Sequence, residues 1–273
     1  MRIGFLGAGQ MGRALASGFV AAELVSSAGV VTYDPSPEAI SAFSSAVPGA
    51  RIGGDVQDVV AWSDVVILAV KPQHLLGLLA EIGRTDSERD VLFVSIAAGV
   101  TLDQLCGGLQ KTRVVRVMPN TPCLVRSGVS AYSRGAGASV ADGELVGKLF
   151  GSVGLAWEVP ESQLDAVTGL SGSGPAYVYL MIEALSDGGV RMGLPRGMAT
   201  QFAAQTLLGA ARLLLESGEH PGELKDRVAS PGGTTIAGLQ VLEQRAVRAA
   251  LIDAVQAATL RSLELGNRSR EPR

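Results

Sequence analysis

The sequence predicts an α/β protein in which a doubly wound parallel sheet is followed by an all-helical region. Short β-branched runs alternate with helix-like stretches over the first 130 residues, a pattern typical of parallel strands joined by crossover helices. Some of these runs are apolar throughout, as in strands that are covered on both faces. From about residue 140 the chain becomes rich in Ala, Leu and Gly, with apolar residues at helical spacing.

The strand candidates of the first part lie at residues 2–6, 30–33, 65–70, 91–96, 114–118 and 129–133. Continuous apolarity in the third and fifth of these runs predicts that helices lie on both sides of the sheet. One further strand candidate, at 155–159, precedes the helical region. We therefore place a boundary near residue 160 and predict two domains, 1–160 and 161–273.

The second domain is predicted to contain two long helices, at 175–193 and 196–217, separated by a Leu-Pro pair. A proline is well suited to begin a helix. In the second helix, apolar residues recur every three to four positions, for example at Leu207, Ala211 and Leu214. Such a stripe predicts one buried face, and ordinary core packing is its simplest interpretation.

The composition indicates an ordered protein that buries much of its surface against another subunit. Of 273 residues, 47% are apolar and 18% are charged, whereas an average soluble chain has roughly 25% charged residues. The net charge of −3 at pH 7 offers no basic surface for nucleic acid or anionic lipid. No apolar run approaches the ~20 residues that cross a membrane. The expected partners are therefore small molecules and further copies of the chain.

The two cysteines, Cys106 and Cys123, form no Cys-x-x-Cys pair, so neither a zinc site nor a disulfide framework is predicted. This cysteine usage favours a reducing compartment. The first strand candidate begins at Arg2, which leaves no room for a signal peptide ahead of it. We expect a cytoplasmic protein without a bound metal.

A glycine-rich motif, G-x-G-x-x-G, occupies residues 7–12, directly after the first strand and at the start of a predicted helix. In this context the first glycine allows a tight turn, the second lets the backbone approach a pyrophosphate, and the third allows close helix–strand packing. The helix N-terminus offers N–H groups and the positive end of a dipole to the phosphates. We predict a Rossmann-type domain that binds a dinucleotide; a purely structural glycine turn is the alternative.

An acidic residue follows the second strand, where dinucleotide-binding folds bind the adenosine ribose. Asp34 lies twenty-two residues after Gly12, close to the usual spacing of ~20. Its carboxylate would accept hydrogen bonds from the ribose and repel a 2′-phosphate, and no arginine is near it in sequence. NADH is therefore predicted to be preferred over NADPH. Alternatively, Asp34 caps the turn before Pro35.

Ligands of open α/β sheets bind beyond the carboxyl ends of the strands, and here the loops at 70–72, 97–99 and 118–122 lie there. Lys71 is expected to face a cofactor phosphate or, equally, to lie in solvent. Asn120 is expected to orient the nicotinamide amide or, equally, to satisfy the turn between two neighbouring prolines.

Two more glycine-rich segments, at 171–175 and 230–235, are predicted to begin helices. A helix N-terminus with unobstructed N–H groups binds a carboxylate without a cationic side chain. The alternative is that the glycines allow helix packing and the serines act as N-caps.

The histidines supply no obvious proton donor, because His74 lies at the start of a predicted helix and His220 precedes Pro221. Reduction of a ketone to an alkoxide usually requires such a donor. A protonated imine does not, since its positive nitrogen already withdraws electrons from the carbon that receives hydride. The sequence therefore favours a C=N substrate that carries a carboxylate.

Three segments of the second half resemble pyrroline-5-carboxylate reductases, the enzymes of the last step of proline biosynthesis: DAVTGLSGSGPAY at 165–177, GGVRMGLP at 188–195 and SPGGTT at 230–235. The resemblance extends from the glycine motif through the 70–72 and 120–122 loops to the last helix. It implies NAD(P)H-dependent hydride transfer to the imine carbon of 1-pyrroline-5-carboxylate. It also implies a helical dimerisation domain, in which long helices of two subunits interlock, and a ring of five dimers.

Together, the motifs and the resemblance assign two groups of site residues. The predicted cofactor contacts are Leu6, Gly7, Ala8, Gly9, Gln10, Met11, Gly12, Asp34, Ser36, Val70, Lys71, Pro72, Ala98 and Asn120. The predicted substrate contacts are Glu161, Ser171, Gly172, Ser173, Gly174, Thr234 and Thr235. The family's proposed imine hydrogen-bond partner matches Thr235, which is the predicted catalytic residue; a helix N-terminal cap is its alternative role.

Two other functions stay open at this point. A reductase of the 3-hydroxyacid dehydrogenase type would need a lysine in the second half as proton donor, and Lys225 is the only lysine after residue 148. A nucleotide-sensing oligomer without turnover would not need the segments 172–175 and 230–235, which are intact. Arg227 stands where a relative has asparagine near the cofactor, and its guanidinium would favour NADPH.

Overall fold

The computed structural model describes residues 1–83 and 90–268. The chain forms two compact units: Met1–Ser173 together with the segment from Ala257 onward, and Gly174–Gln256. The first unit contains the strands, which are β1 (Ile3–Leu6), β2 (Val30–Tyr33), β3 (Arg51–Ile52), β4 (Val65–Leu68), β5 (Leu92–Ser95), β6 (Val114–Met118), β7 (Gly128–Arg134) and β8 (Gly154–Glu158).

The helices are α1 (Gln10–Ala21), α2 (Pro37–Ala46), α3 (Val56–Trp62), α4 (Pro72–Gly83), α5 (Leu102–Leu109), α6 (Val140–Gly151), α7 (Leu164–Val167), α8 (Gly174–Arg191), α9 (Arg196–Ser217), α10 (Pro221–Arg227), α11 (Thr234–Gln244) and α12 (Val247–Arg268). Short 3-10 turns lie at Ser27–Gly29, Thr121–Val125 and Glu161–Gln163, and a π-helical turn at Thr168–Gly172 follows α7. The two long helices predicted for the second half are confirmed as α8 and α9.

The eight strands form one sheet in the order β3-β2-β1-β4-β5-β6-β7-β8. All seven strand candidates are confirmed, and β3 was missed because its two residues are exposed and form no apolar run. The strands from β1 to β6 run parallel, but β7 is antiparallel to β6. The expectation of parallel strands was therefore wrong for β7. The short Thr121–Val125 turn that joins β6 to β7 is too short for a parallel crossover.

Alternate residues of the central strands pack on opposite faces of the sheet. On one face, the Phe5 ring lies 6.3 Å from that of Phe19 in α1 and 5.7 Å from that of Phe43 in α2. On the other face, Leu68 belongs to a buried cluster with Leu75 of α4 and other residues of α3, α4 and α5. Because both faces bury apolar side chains under helices, the doubly wound prediction is confirmed.

A buried carboxylate joins α6 to the sheet. Ser139 caps α6, and the carboxylate of Asp142, at the third helical position, accepts a hydrogen bond from the Ser139 backbone N–H. The Asp142 carboxylate, 5% exposed, also accepts from Arg113 Nη2 at 2.7 Å. Hydrogen bonds from the Arg113 guanidinium and, to a smaller extent, from Ser139 lower the pKa of the Asp142 carboxyl. This group is therefore charged in the folded protein at neutral pH.

The first unit extends to Ser173, thirteen residues past the predicted boundary at 160. Two contacts tie the extra segment to the sheet unit. Asn120 Nδ2 donates to the Ser171 carbonyl oxygen at 3.0 Å, and Ser262 Oγ in the last helix donates to Asp165 Oδ1 at 2.6 Å. The predicted boundary near 160 thus precedes the division into compact units.

The second unit, Gly174–Gln256, buries few of its own apolar side chains. Within it only Ser186, Ala199 and Ala203 are buried. Its exposed large apolar residues include Tyr179, Leu180, Leu185, Phe202, Leu208, Leu213, Leu215, Val241, Leu242 and Ile252. Exposed apolar surface on this scale marks an interaction site, as the low charge content of the sequence suggested. In the described residues, no helix combines the length and apolarity that a membrane crossing requires.

Candidate functional site

The turn after β1 is shaped by two glycines that touch their surroundings. Gly7 adopts φ +108, its N–H donates to the Tyr33 carbonyl oxygen at 2.9 Å, and an added Cβ would lie 2.7 Å from the carbonyl of Ala69. An added Cβ on Gly12 would lie 2.6 Å from the Gly7 oxygen. Both positions therefore require glycine for turn geometry and for close packing of α1 on the strand.

The middle glycine of the motif faces open space. Gly9 caps α1 with φ −66, and a Cβ added there would meet no described atom within 4 Å. Among the described residues, no side chain caps α1 and no acid lies in its first turn. The first N–H groups of α1 thus face room that a phosphate can occupy. This arrangement fits a dinucleotide pyrophosphate.

Asp34 is held against the glycine loop. Its Oδ2 accepts from the Ala8 N–H at 2.8 Å, and its Oδ1 accepts from the Ser36 N–H at 2.9 Å. Ser36 caps α2, and its hydroxyl donates to Glu38 Oε2 at 2.7 Å. This hydrogen bond lowers the pKa of the Glu38 carboxyl. Through its contact with Ser36, Glu38 places a second carboxylate beside the expected adenosine position. Sequence reasoning missed Glu38, although it is only four residues beyond Asp34.

The sheet register brings the predicted cofactor residues to one edge. Leu6 is paired with Tyr33 and with Leu68, and Leu68 is paired with Ser95. The carboxyl ends of β2, β1, β4 and β5 therefore lie side by side. The predicted cofactor residues lie in or next to the loops that follow these strands: Asp34 and Ser36, the glycine motif at 7–12, Val70, Lys71 and Pro72, and Ala98. Lys71 and Ala98 are exposed there, and Val70 is half-buried.

Asn120 is engaged at both ends of its amide by the protein. Nδ2 donates to the Ser171 carbonyl, and Oδ1 accepts from the Val129 N–H at 2.8 Å. Pro175, four residues after Ser171, has no N–H to donate to that carbonyl, and the Asn120 amide satisfies it instead. Neither partner lies in the turn between Pro119 and Pro122, so both predicted roles of Asn120 stay predictions.

Residues 171–175 contain the start of α8 at Gly174, as predicted, but another helical turn comes directly before this start. They continue the π-helical turn Thr168–Gly172 into α8, with Ser173 in right-handed helical conformation and its N–H donating to the Thr168 oxygen at 2.9 Å. The substrate roles of Ser171, Gly172, Ser173 and Gly174 stay untested, although π-turns recur at functional sites.

The segment 230–235 does begin a helix, as predicted. Gly232 adopts φ +67, the Gly233 N–H donates to the Ser230 oxygen at 3.0 Å, and Gly233 caps α11. Thr234 and Thr235 are its first two residues, exposed and half-buried respectively. Among the residues described, no side chain caps α11, which leaves its N–H groups for an anionic ligand.

The other candidates from the sequence have partners of their own. His220 Nδ1 accepts from the Gly222 N–H at 3.1 Å as the N-cap of α10, which supports its exclusion as an acid–base group. Arg227 Nη1 donates to Glu219 Oε1 at 3.0 Å. Lys225, the donor required by the hydroxyacid alternative, pairs with Asp226 at 3.1 Å.

Glu161, predicted to contact substrate, is used by the fold. Its Oε1 accepts from the Leu102 N–H at 2.7 Å and from Arg116 Nη1 at 2.9 Å.

In the described part of the chain, no group of three or more His, Cys, Asp or Glu side chains is placed to hold a metal ion. The candidate positions for ligands are thus the carboxyl edge of the sheet in the first unit and the start of α11 in the second.

Comparison with known proteins agrees with this division. Residues 161–265 match the family model for pyrroline-5-carboxylate reductase dimerisation, and residues 2–99 match that for NADP oxidoreductase, coenzyme F420-dependent. Pyrroline-5-carboxylate reductase 2 of Rattus norvegicus is 45% identical over 269 residues, which cover 97% of this chain and 84% of the relative. The pea (Pisum sativum) pyrroline-5-carboxylate reductase is 46% identical, with coverage of 96% and 95%.

Solved structures show the same likeness. A pyrroline-5-carboxylate reductase from Coxiella burnetii superposes with a TM-score of 0.89 at 34% identity, covering 97% of this chain and 98% of that one. The Plasmodium falciparum pyrroline carboxylate reductase with NADP bound gives a TM-score of 0.86 at 33% identity with the same coverage. This chain therefore belongs to the pyrroline-5-carboxylate reductase family, a family of oxidoreductases with an N-terminal Rossmann-type domain and a C-terminal helical dimerisation domain.

Proposed function

We propose that this chain reduces 1-pyrroline-5-carboxylate to L-proline with NADH or NADPH, the last step of proline biosynthesis. The observation that supports this most strongly is the 45% identity to a named reductase across 97% of the chain, which includes both the glycine loop and the 230–235 helix start. A bound nicotinamide would supply the hydride for the imine carbon.

The coenzyme is proposed to bind along the carboxyl edge of the sheet. The N–H groups at the start of α1 would hold the pyrophosphate above Gly9. Asp34 and Ser36 would contact the adenosine ribose, and Val70, Lys71, Pro72 and Ala98 would line the remainder. The open space at Gly9, where an added Cβ meets no described atom, supports this placement.

NADH is the proposed preferred coenzyme. Asp34 presents a carboxylate beside the glycine loop, and Glu38 adds a second negative charge two residues beyond Ser36. A 2′-phosphate near this pair would be repelled. The Plasmodium falciparum relative was solved with NADP bound, so coenzyme choice rests on these carboxylates of this chain rather than on family membership.

The substrate is proposed to bind at the start of α11. The N–H groups of Thr234 and Thr235, together with the helix dipole, would hold the carboxylate. The Thr235 hydroxyl would hydrogen-bond the ring nitrogen and so hold the imine in one orientation for hydride transfer. No cationic side chain is required, because the backbone supplies the donors.

The working form is proposed to be a cytoplasmic homodimer, assembled further into a decamer. The exposed apolar faces of α8 and α9 in the second unit, with Leu180, Phe202 and Leu208 among them, support a large interface with a second copy. A stable interface of this kind would also account for the low charge content of the chain.

Initial rates test the proposal. Purified protein should oxidise NADH when 1-pyrroline-5-carboxylate is supplied, and should form proline in equal amount. A 3-hydroxyacid with NAD⁺ serves as the control for the dehydrogenase alternative, and sedimentation velocity reports the assembly. Coenzyme binding without turnover on the imine would contradict the proposed reaction, and a monomer in solution would contradict the proposed assembly.

A further inference from the structure

We propose that Glu161 is a positioning residue for the loop between β5 and α5, and that it acts on binding of the nicotinamide half of the coenzyme. This inference rests on the proposed function, since it deepens the description of the same coenzyme site. It assigns to Glu161 a role other than direct contact with the substrate.

The Glu161 carboxylate is tied to the interior of the sheet unit. Its Oε1 accepts from Arg116 Nη1 at 2.9 Å, and the Arg116 side chain in β6 is only 5% exposed. Asp165 Oδ1 lies 3.9 Å from Nη2 of the same guanidinium. A buried guanidinium requires an anionic partner. This ion pair therefore holds Glu161 in one place.

The same oxygen holds the end of the β5–α5 loop. The Leu102 N–H, the first of α5, donates to Glu161 Oε1 at 2.7 Å. Thr101 caps the helix, and its capping box with Gln104 satisfies further end groups of the backbone. A negative charge at a helix N-terminus is stabilising, so Glu161 both caps α5 and anchors residues 97–101.

The last helix holds this loop from another side. Gly99 has φ +72, and a Cβ added there would lie 3.5 Å from the Cβ of Leu265. Gln104 Nε2 donates to the carbonyl oxygen of Gly266 at 3.5 Å. Residues 97–101 are thus fixed between the Glu161 carboxylate and the end of α12, which is the arrangement expected of a loop that must keep its shape to bind a ligand.

The strand order places this loop near the nicotinamide. Asp34, after β2, is the proposed ribose contact, and the pyrophosphate loop follows β1 next to it. The sheet then continues to β4 and β5. An extended dinucleotide that begins over β2 and crosses β1 must lay its other half over the ends of β4 and β5. The loop that Glu161 anchors borders that half and not the adenosine half.

Binding measurements with two nucleotides test the inference. In Glu161→Ala, the Kd of reduced coenzyme, measured by its fluorescence, should rise about tenfold, because a hydrogen bond to a charged group is lost at the loop end. The Kd of ADP-ribose, which lacks the nicotinamide and is measured by calorimetry, should stay within about twofold. Glu161→Gln retains the acceptor oxygen and should restore coenzyme binding to within about threefold of wild type.

Glu158→Ala is the control, because Glu158 of β8 also forms an ion pair with an arginine of the same sheet, Arg134, at 2.5 Å, while β8 is not a neighbour of β5. It should alter thermal stability without altering either Kd. Equal weakening of both nucleotides in Glu161→Ala would show a merely structural role and overturn the inference. A higher KM for pyrroline carboxylate with unchanged coenzyme Kd would overturn it in favour of substrate contact. Failure of the wild type to reduce the imine would reject the proposed function alone, since these readouts need only binding.

Discussion

Coenzyme choice in this protein is expected to depend on the charge of Asp34. The substitution Asp34→Asn removes that charge with little change in shape. The wild-type carboxylate accepts from the N–H groups of Ala8 and Ser36 at 2.8 and 2.9 Å, and the amide oxygen of asparagine can retain one of these bonds. The variant therefore tests the electrostatic repulsion of a 2′-phosphate while the loop keeps its shape.

The size of the effect follows from Coulomb's law and from the exposure of Asp34. Two unit charges about 6 Å apart repel by about 3 kcal/mol at an effective dielectric constant of about 20, and by about 0.7 kcal/mol in bulk water. Asp34 is half-buried, so an intermediate value of about 1.4 kcal/mol applies, which is about tenfold in affinity. We expect the ratio of kcat/KM for NADPH to that for NADH to rise about tenfold in Asp34→Asn.

The assay is a set of initial rates with both coenzymes at saturating pyrroline carboxylate. Glu38→Gln is the comparison variant: its carboxylate is exposed and bonded to Ser36, so screening by solvent should make its effect the smaller of the two. A wild type that prefers NADPH would refute the reasoning, as would an Asp34→Asn variant that binds NADH normally and shows an unchanged ratio.

Three further predictions concern the glycine loop, the α11 start and acid stability. Thr235→Ala should lower kcat by about 10- to 100-fold, because one hydrogen bond to the reacting nitrogen is lost, with the melting temperature nearly unchanged. Gly7→Ala should destabilise the fold by about 2–4 kcal/mol through its positive φ and its backbone clash, whereas Gly9→Ala should weaken only coenzyme binding. Asp142→Asn should cost about 2–3 kcal/mol in urea unfolding at pH 7. Since Arg113 lowers the folded pKa of Asp142, this stabilisation is present above the unfolded value of about 3.9 and disappears as pH falls through the folded value.

Each of these has a clear contrary result. Unchanged kinetics in Thr235→Ala would remove the hydroxyl from the mechanism. Equal losses of thermal stability in Gly7→Ala and Gly9→Ala would contradict the prediction that only a Cβ at Gly7 clashes with the backbone. If the free energy of unfolding of Asp142→Asn is as far below that of the wild type at pH 3 as at pH 7, the charge of Asp142 is not what stabilises the folded protein.

The local structures that were predicted correctly around the candidate site lie in contiguous stretches of sequence. The glycine motif follows β1 directly, and Gly233 with the two threonines forms a helix start from adjacent residues. The segment 171–175 shows the limit of such inference. Its Ser-Gly-Ser-Gly-Pro sequence predicts the start of α8 at Gly174, but it does not predict the π turn Thr168–Gly172 that leads into the helix. Nor does it predict the hydrogen bond from Asn120, fifty-one positions away, to the Ser171 carbonyl.

The sequence by itself determined seven of the eight described strands, the two long helices, the presence of a dinucleotide loop, and the family. These features follow from hydrophobic period, turn chemistry and short motifs, all of which act over a few residues. Only the tertiary structure decided the reversal of β7, the engagement of Glu161 with Leu102 and Arg116, and the return of the last helix to the first unit. The physical reason is that these depend on contacts between residues distant in sequence, 13 to 19 positions apart in the β6–β7 pairing and 45 or more positions apart for Glu161. There, burial and hydrogen-bond geometry, rather than local propensity, select the partner.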